Sequence, residues 1–337
     1  MEGFEEVYVR EDRRARKAFS RVGWACFTVL GTAYALQIAG AVAVRALAPS
    51  LLQTSWFSVI LTLVPMYFIA FPVGFLILRA MPASVPEPHA VRFGTLAVFL
   101  LMSVCVMYVG NFIGVGVTTG IDSLKGTQYV NPVDQVLSNW NIYINIAALL
   151  IIAPVLEETL FRKYLIDRLR VYGEGTAIVL SGLLFGLFHG NLSQFFYAFG
   201  IGCLFAYIYL RTGKLRYTIA LHATINFFGG VLSEILLKWL DNGSMPELRA
   251  SNLQAILQYA EKNPGPILAF GFYAMLIMLA FVSGLILLLQ NRKKAVLLPA
   301  EKQLPEGTAF RTAWLNTGML VFSVLSLALI VYSAINK

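Results

Sequence analysis

Apolar residues along this chain come in continuous runs of about 17–25 residues, each long enough to cross the ~30 Å hydrocarbon core of a bilayer. Short polar connections separate them. A transmembrane β-barrel would instead show short segments of alternating polarity. The pattern therefore predicts an all-α fold, a polytopic transmembrane helix bundle of about eight to nine spans. The expected spans are Val22–Leu47, Thr54–Leu78, Val91–Val117, Asn141–Glu158, Thr176–His189, Phe195–Leu210, Tyr217–Lys238, Pro266–Gln290 and Thr312–Ile335. The fifth is short, so a count of eight is also compatible.

The connections sort by charge. Alternating from the N-terminus, the segments Arg79–Ala90, Arg162–Gly175, Arg211–Arg216 and Asn291–Arg311 fall on one side and carry most of the Lys and Arg. The positive-inside rule places that side, and the N-terminus, in the cytosol. The basic stretch REDRRARKAFSR precedes an apolar span too long for the core of a cleaved signal peptide, so the first helix is expected to be retained. A bacterial inner membrane is the expected location. Residues 118–140 read as a polar, turn-rich connection. Residues 246–263 place Leu248, Leu253, Ile256, Leu257 and Ala260 at helical spacing, as in a short amphipathic helix on the outer surface.

Composition supports this picture. Of 337 residues, 58% are hydrophobic and 13% charged, about half the ~25% charge of a soluble domain, and the mean hydropathy is +0.70. The net charge of +8 is concentrated beside apolar spans, where it faces lipid headgroups rather than nucleic acid. Cys26, Cys105 and Cys203 all lie within apolar runs without metal-type spacing and read as small buried hydrophobes.

Ionisable groups inside a span are expensive and usually face a partner or a water-filled cavity. The candidates are Glu157, Glu158, His189, the pair His222 and Asn226, and Glu234. Glu158 precedes Arg162 by four residues, the favourable order for a helical ion pair. Glu157 projects about 100° away around the helix. Pro154, just upstream, loosens the backbone. Gly182, Gly186 and Gly190 form a smooth stripe for close helix contact, with Phe185 and His189 on another stripe. Glu234 has Lys238 four residues on, enough for a local ion pair. Taken singly, the acids can mark a span end, His189 an interface, and His222 with Asn226 an interhelical hydrogen bond. Glu157 and His189, however, lie sixteen residues either side of a turn near Gly173, and His222 lies just beyond its own turn near Lys214. A helical hairpin that projects into the cytosol brings all of them to one depth, roughly 8–12 Å inside the cytosolic face at ~1.5 Å per residue.

These residues resemble the motifs of the CPBP family (CAAX proteases and bacteriocin-processing enzymes, also called Abi), which includes the type II CAAX prenyl endopeptidases. Its three motifs appear here in order as Glu157-Glu158-x-x-x-Arg162, Phe185-x-x-x-His189 and His222-x-x-x-Asn226. The resemblance covers residues 141–238, a four-helix catalytic core, between N-terminal spans in 1–140 and C-terminal spans in 239–337. It implies an intramembrane endopeptidase of glutamate type, cutting near the cytosolic face, with processing of CAAX-type C-termini as one implied activity. Glu157 and His189 would activate water, and His222 and Asn226 would stabilise the oxyanion. Glu158, Arg162 and Phe185 would support them. No cofactor is expected. The implied substrate is a membrane-associated peptide or lipidated protein C-terminus; the other partner is the bilayer, with no nucleic acid.

Two alternatives remain open at this stage. Glu157, His189 and His222 have the ligand types of a His₂Glu zinc site, although the chain has no HExxH. The same fold could instead serve as a non-catalytic scaffold binding other membrane proteins. A proton-coupled transporter would show two repeated halves, and none is evident.

Overall fold

The computed structural model describes residues 2–127, 140–241 and 253–335. The regular structure among them is helical: α1 (Glu2–Leu47), α2 (Ser55–Arg79), α3 (Phe93–Lys125), α4 (Ile142–Tyr172), α5 (Glu174–Phe188), α6 (Leu192–Thr212), α7 (Leu215–Leu240), α8 (Leu253–Lys262), α9 (Pro264–Lys294), α10 (Ala309–Trp314) and α11 (Thr317–Ile335). Eight of these (α1 to α4, α6, α7, α9 and α11) are long and apolar enough to span a membrane. At 15 residues, α5 is about 22 Å long, short of the ~30 Å needed to cross alone. The count of eight to nine spans follows from this one short helix.

Several boundaries differ from the sequence expectation. α1 begins at Glu2 rather than near Val22, because straight-chain Arg, Lys and Glu residues favour helix as well as mark charge. α3 continues to Lys125, past the expected end at Val117, and stops where Gly126 takes a left-handed conformation (φ 70°). Residues 118–125 are therefore helix, and the remainder of that connection, 128–139, lies outside the described residues. The last span is divided: Asn316 interrupts it, and its Oδ1 accepts from the Met319 N–H at 3.1 Å to start α11. Of the amphipathic segment, 253–262 is helical, and the Tyr259 hydroxyl donates to the Leu240 carbonyl; residues 242–252 lie outside the described residues. Cys26 and Cys105 are buried, but Cys203 is only half-buried.

Two members of the glycine stripe, Gly182 and Gly186, work as a contact surface on α5, whereas Gly190 lies past its end in a left-handed turn (φ 63°) and faces Tyr34 and Leu329. A Cβ on Gly182 would sit 2.7 Å from the Phe199 carbonyl oxygen, and one on Gly186 would sit 2.9 Å from that of Phe195. Any larger side chain would push α5 off α6.

The ends of the bundle form two distinct faces. On one, the basic turns touch each other. Ser84 N–H donates to the Asp167 carbonyl at 2.5 Å, His89 N–H to Thr212 at 2.7 Å and Lys302 N–H to Val171 at 2.8 Å. Arg16 reaches the Leu315 carbonyl at 2.5 Å, which adds the N-terminal helix. On the other face, Lys125 Nζ donates to the Ala334 carbonyl at 2.5 Å and Trp140 Nε1 to Ser58 Oγ at 3.3 Å. The main apolar core, which includes Phe19, Phe71, Phe161, Leu165 and Tyr209, lies toward the basic face.

Candidate active site

Three helices carry wide turns beside the candidate residues: α2 at Val64–Ala70, α4 at Ala148–Ile152 and again at Thr159–Tyr164, and α7 at Phe227–Leu232. In α4, the Ala153 N–H bonds to the Ala148 carbonyl five residues back, and Leu165 likewise reaches Leu160. Such turns gather at functional sites because each re-aims the side chains that follow. Glu157 and Glu158 lie between two of them. The first has a clear local cause. Pro154 lacks the N–H that would next bond to the Leu149 carbonyl. That orphaned oxygen accepts from Asn226 Nδ2 on α7 at 2.8 Å instead. The proline on one helix thus fixes the asparagine of another.

The adjacent acids divide as their spacing predicts. Glu158 and Arg162 are fully buried, with Glu158 Oε2 3.1 Å from Arg162 Nε. The guanidinium lies over the rings of Phe185 (4.6 Å) and Phe205 (5.6 Å), and its terminal nitrogens make no hydrogen bond among the described residues. The second oxygen of Glu158 is 3.0 Å from His222 Nδ1, a contact that the sequence spacing does not reveal. An ionised Glu158 only accepts, so His222 donates from Nδ1 and its ring orientation is fixed. Glu157 turns the other way. Its Oε1 accepts from the Tyr67 hydroxyl at 2.8 Å, and its Oε2 is 3.9 Å from His222 Nε2. One imidazole therefore lies between two carboxylates, bonded to Glu158 and beyond hydrogen-bond distance of Glu157.

His189 sits just past the end of α5. Its Nδ1 is 2.7 Å from the Phe185 carbonyl oxygen, which can only accept, so Nδ1 carries the proton. In the neutral ring, Nε2 then offers a lone pair. Phe185 meets both histidines edge-on, at 4.9 Å from His189 and 5.9 Å from His222.

These groups surround one cavity of about 570 Å³, within the size range of ligand sites. Glu157, His189, His222 and Asn226 all line it, as does Phe185; Glu158 and Arg162 lie behind its wall. Its far end is polar. Glu234 takes a hydrogen bond from Lys238 at 2.6 Å, as expected, and another from Asn145 at 3.1 Å. Tyr67 was missed by sequence reading because it lies on α2, outside the motif-bearing helices. Its one signal is a hydroxyl two residues after Pro65 in a span that also carries Ser58 and Thr62. As for a zinc site, no group of three or more His, Cys, Asp or Glu residues is placed to hold a metal ion among the described residues.

Residues 139–228 match the family model described as type II CAAX prenyl endopeptidase Rce1-like. That segment is similar to the Rce1-like family. The match covers well under half of the 337-residue chain, yet it includes α4, α5, α6 and the part of α7 that carries His222 and Asn226. No curated protein and no solved structure matches the chain. With eight helices among the described residues long and apolar enough to cross a bilayer, the protein is an integral membrane protein whose central segment is similar to type II CAAX prenyl endopeptidases.

Proposed function

We propose that the protein is an intramembrane endopeptidase in which Glu157 is the general base. The observation that carries this reading is the single cavity onto which Glu157, His189, His222 and Asn226 all open. Tyr67 occupies one oxygen of Glu157, leaving the other to take a proton from water. The Nε2 lone pair of His189 offers a second acceptor for the same water. The water oxygen adds to the scissile carbonyl carbon, and Glu157 later returns the proton to the leaving amine. General-base catalysis of this kind contributes about 10²–10⁴-fold.

The developing oxyanion needs donors already in place, which are strongest where water is scarce. Asn226 gives one N–H to Leu149 and has a second to offer. His222 gives Nδ1–H to Glu158, so it donates from Nε2 only as the imidazolium. Glu158 and Arg162 hold that ring and act through it. The substrate in this reading is a membrane-associated peptide or lipidated protein C-terminus. The test compares purified protein and Glu157→Ala on a library of prenylated CAAX peptides, with and without a zinc chelator. The expected result is cleavage before the last three residues by the unaltered protein alone, undiminished by chelator. Loss in chelator would point to metal chemistry, and equal cleavage by the variant would remove Glu157 from the mechanism.

A further inference from the structure

We propose that α9 covers a seat for the hydrocarbon chain of a lipidated substrate, joined to the candidate catalytic cavity by a doorway at Gly229. The seat stands on geometry; what brings the chain there rests on the peptidase reading.

A second cavity, of about 440 Å³, lies between α3, α7 and α9. On α9 it is lined by Ala269, Phe272, Tyr273, Leu276, Ile277 and Ala280, a single stripe at helical spacing about 16 Å long. The helix touches the bundle beyond both ends of this stripe. A Cβ on Gly284 would collide with the Leu101 backbone of α3, and one on Gly265 would lie 3.6 Å from the Trp239 ring. Between those contacts Tyr273 acts as a strut. Its hydroxyl donates to the Phe228 carbonyl at 2.9 Å and shares a second hydrogen bond with Tyr108. Over the stripe, α9 therefore stands off its neighbours and leaves a space beneath it.

The wall chemistry selects the occupant. Among the described residues no charged side chain lines this cavity, and its two hydroxyls are engaged with each other and with the Phe228 carbonyl. A phospholipid headgroup finds no partner there, whereas apolar space of this kind accepts an apolar ligand. Lipid tails are as apolar as these side chains, so the seat aims a chain rather than gripping it. Phe228, Phe272 and Leu276 line the cavity and are also exposed. It therefore opens sideways, and a chain already dissolved in the bilayer enters without leaving hydrocarbon.

Met107, Tyr108, Ile225 and Gly229 line both this cavity and the candidate catalytic one. On α7, Ile225 and Gly229 lie on either side of Asn226 in sequence. At Gly229 the shared wall thins to backbone: among the described residues, a Cβ placed there meets only the Met107 sulfur, at 3.9 Å. The substrate's covalent geometry needs a passage at this point. When three residues are removed from a lipidated C-terminus, the carbonyl attacked belongs to the lipidated cysteine itself. Its thioether chain springs from the carbon bonded to that carbonyl, so it leaves the cavity within a few bonds of the oxyanion. A doorway beside Asn226 meets that condition. The family match ends at residue 228, so the doorway and α9 both lie outside it.

The experiment reads contact and needs no catalysis. Full-length protein carrying Glu157→Ala is placed in lipid nanodiscs with a CAAX peptide whose thioether-linked isoprenoid ends in a diazirine. After irradiation, adducts are mapped by mass spectrometry. The expected adducts fall on α3 and α9 around Leu101 and Leu276, and are lost when unlabelled lipidated peptide competes. Gly229→Leu, which fills the doorway, and Ala280→Phe, which fills the seat, should each abolish them. Leu279→Phe, at a position 57% exposed on α9, should keep them. Size-exclusion chromatography and melting temperature confirm that each variant folds. Adducts on α1 or α11 instead, or adducts unchanged in the two filled variants, would overturn the proposal. So would undiminished labelling of α9 by a diazirine phospholipid under saturating lipidated peptide, because the occupant would then be bilayer lipid. If the unaltered protein fails to cleave the peptide while the labelling pattern holds, only the peptidase reading falls. If it cleaves while α9 stays unlabelled, only the seat falls.

Discussion

On the basic side of Glu158 the buried charges have partners at contact distance: Glu158 has Arg162 and His222, Asp167 has Lys163 and Tyr209, and Glu174 has Arg211. On the cavity side the same residue types are left incomplete. Glu157 has one oxygen bonded to Tyr67 and the other 3.9 Å from His222; Asn226 has one amide hydrogen committed to Leu149. One half of the bundle thus uses polar groups to lock helices, and the other keeps coordination in reserve. Two neighbouring glutamates on a single helix fall on opposite sides of that divide, so helical phase rather than residue type sets which of them is fully paired.

The comparison can be broken most directly at the acids. Glu157→Gln should lower the cleavage rate by about 10²–10⁴-fold with little change in melting temperature; a rate within a few-fold of the unaltered protein would end the division of labour. Glu158→Gln should do the reverse in kind. It strands the buried Arg162 charge, at a cost on the order of 3–5 kcal/mol, read as lost thermal stability in detergent. An unchanged melting point there would mean that the ion pair locks nothing.

Two smaller effects sharpen the boundary. Asn226→Ala removes the proposed oxyanion donor and should reduce kcat by about 10²–10³-fold, with KM far less affected; a pure KM effect would assign Asn226 to binding. Tyr67→Phe deletes one hydrogen bond to Glu157 and should cost about 0.5–1.5 kcal/mol, visible as a modest fall in kcat/KM. If activity instead disappears, Tyr67 belongs among the reacting groups.

Much of this was legible in the sequence, because a bilayer restricts backbone to helix and makes each intramembrane charge conspicuous. Apolar run length sets the spans, and spacing four apart brings out Glu158 with Arg162 and Glu234 with Lys238. Sequence spacing reports only neighbours on one helix, however. The Glu158–His222 contact joins α4 to α7, and Tyr67 arrives from α2, so neither has a local signature. Helix ends were misplaced wherever a single residue decides them, as Gly126 does for α3 and Asn316 for α11. The extent of the cavity beyond Asn226 was likewise hidden, since Ser233 and Leu237 look like ordinary residues of a span.

The bond between Asn226 and the Leu149 carbonyl has a genetic consequence. Its acceptor is free only because residue 154 is an imino acid, so positions 154 and 226 should behave as one unit under mutation. In Pro154→Ala, a new amide can claim Leu149 for its own helix and release Asn226 to swing. The loss from Pro154→Ala and that from Asn226→Ala should then combine sub-additively in the double variant, two lesions on separate helices registering as a single one.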